Sequence, residues 1–316
     1  MRLVVPLVAL TLAAASPAAA SEDIPDQYPQ SVLYSKPVEV IPHVWSAIGA
    51  TAPPSYENSG HNNNLSFLVT GEGVIVINGG ACTQLAKALH DEIKQITDEP
   101  VKLVINENGQ GHAMLGNGYW AGQGVPILAQ AEAAAEFEDR AAQILQQMES
   151  YNKDKAAGTL LQGPSETFED EKIIEMGRFR IEVKNLGPAH SPGDIAVWLP
   201  EQRLVIAGDM AFHERLLPIF DDTGTADWLE SWENFEALEA AYVIPGHGHP
   251  TNMDQVRRYT KDYLVFLRGQ IRKLLDEGGG LEDAFYVDQS PYAHLDTFDE
   301  LAKRNAGRVY EQMEFE

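Results

Sequence analysis

The amino-acid sequence predicts an α/β fold made of two similar halves, in which two β-sheets pack against each other and helices cover the outside. Two observations predict this class. Apolar, β-branched segments of strand length alternate with segments of helical apolar spacing, and this pattern occurs in two successive runs. The chain has 316 residues, of which 44% are hydrophobic, so it can bury a large core. The two runs share no sequence repeat sharp enough to establish their symmetry.

The first run supplies the strands and helices of one half. Residues 65–69 and 74–77 are apolar and β-branched on either side of Gly71-Glu72-Gly73, which predicts a hairpin. The other predicted elements of this half are strands within 38–48 and at 101–105 and 125–128, and helices at 85–96 and 131–151. A polar stretch at 152–164 predicts an exposed connection.

The second run predicts the other half and a C-terminal addition. Its elements are strands at 172–174, 179–186, 195–199 and 204–207, followed by helices at 228–240 and 253–277. We therefore assign residues 37–279 to one α/β domain and residues 280–316 to a helical extension with a helix at 298–313. The extension could cover a pocket or pair two subunits, and the sequence leaves the oligomeric state open.

The N-terminal residues predict export. Residues 1–20 place Arg2 before an apolar run and end in small residues of the Ala-x-Ala type, which is the pattern of a cleaved signal peptide. A membrane anchor is the alternative, but the apolar run is short for a full span and contains Pro6. We expect a mature chain that begins near Ser21 with a polar leader over residues 21–36, located in the periplasm or secreted.

Composition restricts the partners. The formal net charge of −24 would repel nucleic acids and anionic membranes, both of which bind through clustered Lys and Arg. We therefore expect a small-molecule substrate, with no nucleic acid and no membrane partner. The single cysteine, Cys82, rules out an internal disulfide, so the fold must depend on its core and on any metal that it binds.

Three glycine-flanked groups follow predicted strands of the second half. They are residues 187–194 (GPAHSPGD), which contain His190, residues 207–209 (AGD), which contain Asp209, and residues 245–248 (PGHG), which contain His247. Strands that deliver His, Asp and His into loops at one edge of a sheet assemble the imidazole and carboxylate ligands of a divalent cation. The alternative is that these are unrelated turn residues.

These groups, in this order and spacing, resemble the later metal motifs of the metallo-β-lactamase superfamily. Residues 76–80 (VINGG) resemble that family's Ile-Asp-Thr-Gly strand end, with Asn78 in place of the aspartate, and residues 104–117 (VINENGQGHAMLGN) resemble its first metal loop. The resemblance covers most of residues 38–260. It implies a four-layer αβ/βα sandwich, the metallo-β-lactamase fold, with the active site at one edge of the paired sheets.

The first metal loop departs from the family pattern. Aligned by both ends of the loop, the family's His-x-His-x-Asp-His falls on Asn108, Gln110, His112 and Ala113. The resemblance then implies one metal site of His112, Asp209 and His247 with an open position for water. The other site would retain His190 beside two amides, which are poor zinc ligands, so we expect one zinc or other divalent ion rather than two.

The resemblance also implies roles for neighbouring residues. Asp209 would be catalytic as well as a ligand, and Asn108 and Gln110 would donate hydrogen bonds to the substrate or to an oxyanion. The alternative for both amides is that they only bond the loop backbone. His61, in the stretch SGHNNN, would face the substrate or replace a missing ligand.

The function implied by these residues is that of an exported metal-dependent hydrolase. It would use metal-activated water on a carbonyl or phosphoryl ester or amide, with β-lactamase-like, phosphodiesterase or lactonase activity. Residues 208–215 (GDMAFHER) and the helical tail resemble the superfamily's quinoprotein-associated and sulfur-oxidation-associated metallohydrolases more than dedicated lactamases. The alternative is a non-catalytic or metal-poor ligand-binding protein on the same fold.

Overall fold

The first half of the chain forms a mixed seven-stranded sheet. The computed structural model describes residues 28–316, so the signal peptide predicted at residues 1–20 and part of the leader lie outside the described residues. The strands are β1 (Val38–Ile41), β2 (Val44–Ala47), β3 (Leu65–Val69), β4 (Val74–Ile77), β5 (Val101–Ile105), β6 (Ile127–Gln130) and β7 (Glu166–Phe168). Their order in the sheet follows the chain, antiparallel from β1 to β4 and parallel from β4 to β7.

The helices of this half connect the parallel strands. They are α1 (Thr83–Ile96), α2 (Gly111–Met114), α3 (Asn117–Gly122) and α4 (Ala131–Asn152). The side chain of Gln130 accepts hydrogen bonds from the first backbone N–H groups of α4, which explains why this helix begins directly after β6. The loop predicted at 106–117 contains the short helix α2, and α3 begins at its last residue; the sequence pattern indicated neither helix.

The second half forms a five-stranded sheet and the remaining helices. Its strands are β8 (Glu171–Met176), β9 (Phe179–Lys184), β10 (Ala196–Leu199), β11 (Leu204–Phe212) and β12 (Tyr242–His247), arranged in the order β12-β11-β10-β9-β8. Only the β11–β12 pair is parallel. The helices are α5 (Thr225–Glu236), α6 (Met253–Tyr259), α7 (Lys261–Asp276), α8 (Leu281–Ala284) and α9 (Phe298–Met313).

The two sheets face each other and the helices cover their outer faces, so the predicted four-layer αβ/βα sandwich is confirmed. The layer between the sheets contains Leu68, Ile75, Ile77 and Ile105 from the first sheet and Ile181, Val183, Val197 and Ile244 from the second. The outer face of the first sheet packs against α1 and α4. The outer face of the second packs against α5, α7 and α9. Within residues 28–316, no helix combines the length and apolarity needed to span a bilayer.

Two elements of the second half differ most from the prediction. Strand β11 continues to Phe212 instead of ending at Ala207, because its last residues pair with β12, where Phe212 is opposite His247. Asp209 therefore lies inside a strand. The helix predicted at 253–277 breaks at Thr260, whose buried hydroxyl accepts a hydrogen bond from the Phe212 backbone N–H at 2.9 Å.

The predicted C-terminal helix at 298–313 is confirmed as α9. The buried side chain of Asn305 accepts a hydrogen bond from the backbone N–H of Ile219 and donates one to the carbonyl of Leu217. The segment that follows β11 is thereby fixed to α9. Leu301 and Arg304 of α9 line the cavity described below, and the pairing of subunits through the extension stays a prediction.

Candidate metal centre

The candidate site lies at the edge where β5, β11 and β12 end. The residues after β5 bring Glu107, Asn108 and Gln110 to this edge, α2 brings His112, β11 brings Asp209 and β12 brings His247. The backbone of Gly208 has a positive φ of 55°, and a Cβ atom there would lie 2.7 Å from an oxygen of Glu107. Glycine is therefore required beside Asp209 for the two carboxylates to share the site.

Asp209 is at the centre of the cluster. Its Oδ1 lies 3.3 Å from His247 Nε2, and its Oδ2 lies 3.6 Å from His112 Nε2 and 3.5 Å from His190 Nδ1. Asn108 Nδ2 also donates a hydrogen bond to Oδ2, at 3.2 Å. Burial alone would raise the pKa of this carboxyl, but the imidazoles of His112 and His247 lower it below its usual range, so Asp209 is ionised.

Glu107 also belongs to the cluster, although no sequence motif indicates it. Its Oε1 lies 3.1 Å from His112 Nε2. Glu107, His112 and Asp209 offer one ligand atom each, and these atoms all lie within 4.8 Å of one another. Burial raises the pKa of the Glu107 carboxyl. Its position two residues after the end of β5 was the available signal, because the polar candidates of the second half also follow strands.

The side chains present fit a divalent cation. The Nδ1 of His247 lies 2.5 Å from the carbonyl oxygen of Asn62 and donates to it, so its Nε2 carries a lone pair. That lone pair faces Asp209 Oδ1, a buried oxygen without a hydrogen-bond partner among the described residues. A cation between these two acceptors, which lie 3.3 Å apart, would satisfy both of them, and two carboxylates with two imidazoles are a suitable donor set.

His190 has a different environment. Gln110 Nε2 donates a hydrogen bond to its Nδ1 at 2.8 Å, and its ring packs against the rings of Phe212, Phe220 and Trp228. Burial lowers the pKa of His190 to about 4, so the ring is neutral. The structure therefore brings His190 to Asp209, but with the nearer nitrogen already bonded to Gln110. The ligand role of His190 remains a prediction.

The first metal loop forms side-chain hydrogen bonds both to its own backbone and to the cluster. Asn108 Oδ1 accepts a hydrogen bond from the backbone N–H of Gln110, while its amide nitrogen binds Asp209. Ala113 is fully buried in the apolar layer beneath α1 and α4. Ala113, on which the last histidine of the family motif falls, therefore faces the core.

His61 lies away from the cluster. Its Nδ1 accepts a hydrogen bond from the backbone N–H of Tyr34 at 2.9 Å, and its Nε2 is 3.3 Å from the carbonyl oxygen of Ala47. Burial lowers its pKa to about 4. Both ring nitrogens contact backbone groups of other segments, and His61 is not among the residues that line the cavity described below. The role of His61 toward a substrate or a metal stays a prediction.

A cavity of about 840 Å³ opens onto the cluster. His112, His190, Asp209 and His247 contribute to its floor, α4 forms one wall, and α9 with residues 215–222 forms another. Arg215 is buried in the second wall, and its Nη1 lies 3.4 Å from His247 Nδ1. The cavity is large enough for a small organic molecule to reach the cluster.

Comparison with known proteins identifies the family. The sequence model of the metallo-β-lactamase superfamily matches residues 112–247, a segment that begins and ends at histidines of the cluster and contains His190 and Asp209. The family model, the curated relatives and the solved structures together support the metallo-β-lactamase superfamily for this chain. The superfamily usually binds zinc. The match begins after Glu107, Asn108 and Gln110, which is where the first metal loop departs from the family pattern.

Solved structures of superfamily members share the fold. A metallo-β-lactamase from Pontibacter korlensis has a TM-score of 0.57 at 18% identity and matches 70% of this chain and 94% of its own. The DIM-1 metallo-β-lactamase exposed to ceftazidime has a TM-score of 0.58 at 15% identity and matches 73% of this chain and 96% of its own.

Two curated relatives match shorter segments. A linear primary-alkylsulfatase from Pseudomonas sp. (strain ATCC 19151) is 23% identical over 124 residues, which are 36% of this chain. A type 2 metallo-β-lactamase from Bacteroides fragilis is 27% identical over 89 residues, which are 27% of this chain. The matched segments span 23% and 36% of the lengths of these relatives.

Proposed function

We propose that the protein is a metal-dependent hydrolase. It would bind one divalent ion, with zinc as the first candidate, through Glu107, His112, Asp209 and His247. The observation that carries this proposal is the pairing of Asp209 Oδ1 with the lone pair of His247 Nε2 across 3.3 Å at the floor of the cavity. A bound ion would supply a Lewis acid that acidifies water and polarises a carbonyl or phosphoryl oxygen.

The surrounding side chains would orient the ligands and the substrate. Asn108 holds the Asp209 carboxylate, and the side-chain oxygen of Asn78 accepts a hydrogen bond from the Glu107 backbone N–H at 3.0 Å. Gln110 lines the cavity and would hydrogen-bond the substrate next to His190. The buried guanidinium of Arg215 would stabilise negative charge that develops on a substrate oxygen.

The proposed substrate is a small molecule with an ester or amide bond to a carbonyl or phosphoryl group. The cavity volume of about 840 Å³ supports a small molecule. The names of the two curated relatives, an alkylsulfatase and a β-lactamase, support hydrolysis in general without selecting a bond. We further propose that the mature enzyme is exported to the periplasm or secreted and binds neither nucleic acid nor membrane, because of its signal-like N-terminus and net charge of −24.

A second candidate is a metal-poor ligand-binding protein. The hydrogen bond from Gln110 to His190 and that from Asn108 to Asp209 favour it, because they satisfy polar groups of the site without an ion. In that case Asn108, Gln110 and His112 would bind an organic ligand directly.

The metal content of the purified mature protein distinguishes the two functions. After zinc loading and removal of free metal, we expect about one ion per chain in the native protein and far less in His112→Ala and Asp209→Ala. Hydrolysis of p-nitrophenyl esters, bis(p-nitrophenyl) phosphate and a chromogenic β-lactam should be lost with the ion. The matched control is His43→Asn, an exposed histidine whose φ of 72° suits asparagine. A native protein without stoichiometric metal would rule out the hydrolase.

A further inference from the structure

The cavity has an apolar end and a charged end. The change occurs along α4. Its cavity-lining residues are Glu136 and Arg140 in its first half, and the uncharged residues Ile144, Gln147, Met148 and Tyr151 in its second half. These positions recur every three or four residues, so they share one face of the helix. A molecule bound against this face would therefore meet two different surfaces.

The apolar end begins at the candidate metal centre. A Cβ atom on Gly111, the residue before His112, would lie 2.6 Å from Ile144 Cγ2 and 3.2 Å from Leu115 Cδ1. These apolar side chains therefore lie against the backbone next to a proposed ligand. A group attached directly to the reacting bond would contact them.

The apolar end continues toward the loop that contains Pro53 and Pro54. Tyr151 lies against this loop, because a Cβ on Gly60 would be 3.1 Å from its ring. Ile144 and Tyr151 are seven residues apart on α4, or about 10 Å along the helix axis. Ile144 and Met148 have no ionisable group, and burial raises the pKa of the Tyr151 hydroxyl further above its ordinary value, so these three side chains carry no charge at neutral pH.

The charged end lies at the opposite end of the cavity. Arg140 forms an ion pair with Asp222 at 3.1 Å, which connects α4 to the loop after β11. Arg304 of α9 lies over the ring of Phe220, with 5.9 Å between its guanidinium carbon and the ring centroid. The polar part of a bound molecule would be better solvated at this end.

We propose that the substrate carries an unbranched apolar chain, acyl or alkyl, which lies between Ile144, Met148 and Tyr151 of α4 and the Pro53–Pro54 loop. The rest of the substrate points to the charged end. This inference rests on the proposed function in one respect, since it places the hydrolysed bond at the metal centre. The binding of the chain can be measured without any hydrolysis.

Binding of two sulfonates tests the inference directly. Butane-1-sulfonate and decane-1-sulfonate have the same head group, and their carbon–sulfur bonds are not hydrolysed. Each methylene that becomes buried strengthens binding about fourfold. If the chain enters the apolar end, calorimetric titration of the zinc-loaded protein should give a dissociation constant at least tenfold lower for the longer sulfonate.

A matched pair of variants locates the chain. Gln147 is exposed and lines the apolar end, whereas Gln146 is an equally exposed neighbour outside the cavity lining. Gln147→Trp should fill the apolar end and reduce the preference for decane-1-sulfonate at least fivefold, and Gln146→Trp should leave the preference unchanged. Equal affinities for the two sulfonates, or an equal loss of preference in both variants, would overturn the inference.

Turnover separates this inference from the proposed function. The native protein should hydrolyse p-nitrophenyl octanoate with a higher kcat/KM than p-nitrophenyl acetate, and Gln147→Trp should lower that ratio. Chain-dependent sulfonate binding without hydrolysis of any ester would overturn the hydrolase and support the apolar-chain site. Ester hydrolysis without chain-dependent sulfonate binding would support the hydrolase and overturn the apolar-chain site.

Discussion

At the scale of single residues, Glu107 gives the sharpest test of the metal centre. Glu107→Gln keeps the shape of the side chain and removes its charge, while Asp209, His112 and His247 remain. Because a carboxylate is a much better ligand than an amide, we expect zinc affinity to fall at least tenfold, measured by competition with a chromogenic chelator. The control is Glu138→Gln on the exposed face of α4. Unchanged affinity in Glu107→Gln would show that Glu107 is outside the ligand set.

His61 gives a test that concerns stability and pH. Its pKa is about 4 in the folded protein against an ordinary value of 6.5, because burial disfavours the charged ring. The unfolded chain therefore binds more protons below pH 6.5, so the contribution of His61 to stability is complete above pH 6.5 and is lost as the pH falls toward 4. Between pH 7.5 and pH 5 this loss is about 2 kcal/mol.

His61→Asn should remove this pH dependence. Asparagine retains an acceptor for the Tyr34 N–H but does not titrate. The variant should therefore have a lower free energy of unfolding than the native protein at pH 7.5, and this difference should shrink by about 2 kcal/mol at pH 5. Urea denaturation at the two pH values measures the difference at each pH. A difference that is constant across this range would contradict the assigned environment of His61.

Sequence motifs could identify some of the site residues. They could not identify residues whose position depends on contacts between distant parts of the chain. Asp209 and His247 were found because glycine-flanked polar residues follow buried strands. Glu107 has no such motif, and its place in the cluster depends on the space that Gly208 leaves. His61 was placed near the substrate from its polar neighbours, although the fold gives both of its ring nitrogens backbone partners.

At the scale of elements, local patterns predicted the strands well and their long-range pairing poorly. The β3–β4 hairpin has the predicted bounds, because its two apolar segments are adjacent in sequence and separated by a Gly-Glu-Gly turn. β11 is five residues longer at its C-terminal end than predicted, because β12 pairs with residues whose own sequence has no strand signal. The short strand β7 was missed for the same reason.

The break between α6 and α7 leads to a prediction at this scale. The Thr260 hydroxyl accepts a hydrogen bond from the Phe212 N–H, and the Phe212 ring stacks on His247 with 5.0 Å between centroids. Thr260→Ala would leave that buried N–H without a partner. The free energy of unfolding, measured by urea denaturation, should therefore fall by about 2 kcal/mol. Thr260→Ser retains the hydroxyl and should keep most of the stability. Equal losses in the two variants would show that the methyl group, and not the hydrogen bond, matters.

At the scale of the whole molecule, the metal centre connects the two halves of the sandwich. Glu107 and His112 come from the first half, and Asp209 and His247 come from the second. An ion that binds all four would bind only the folded, assembled chain, so it should stabilise the protein by mass action. The connection is reinforced by Asn64, whose side chain donates hydrogen bonds from the first half to the carbonyls of Pro245 and Gly248.

Zinc should therefore raise the melting temperature of the whole molecule in a single transition. At a free zinc concentration 100 times the dissociation constant, the stabilisation is about 2.7 kcal/mol, which corresponds to an increase of about 4 °C for a chain of this size. Scanning calorimetry of the native protein and of His43→Asn should show this increase, and Asp209→Ala should not. If zinc shifted only part of the unfolding transition, the ion would be held by one half alone, and the four-residue ligand set would be wrong.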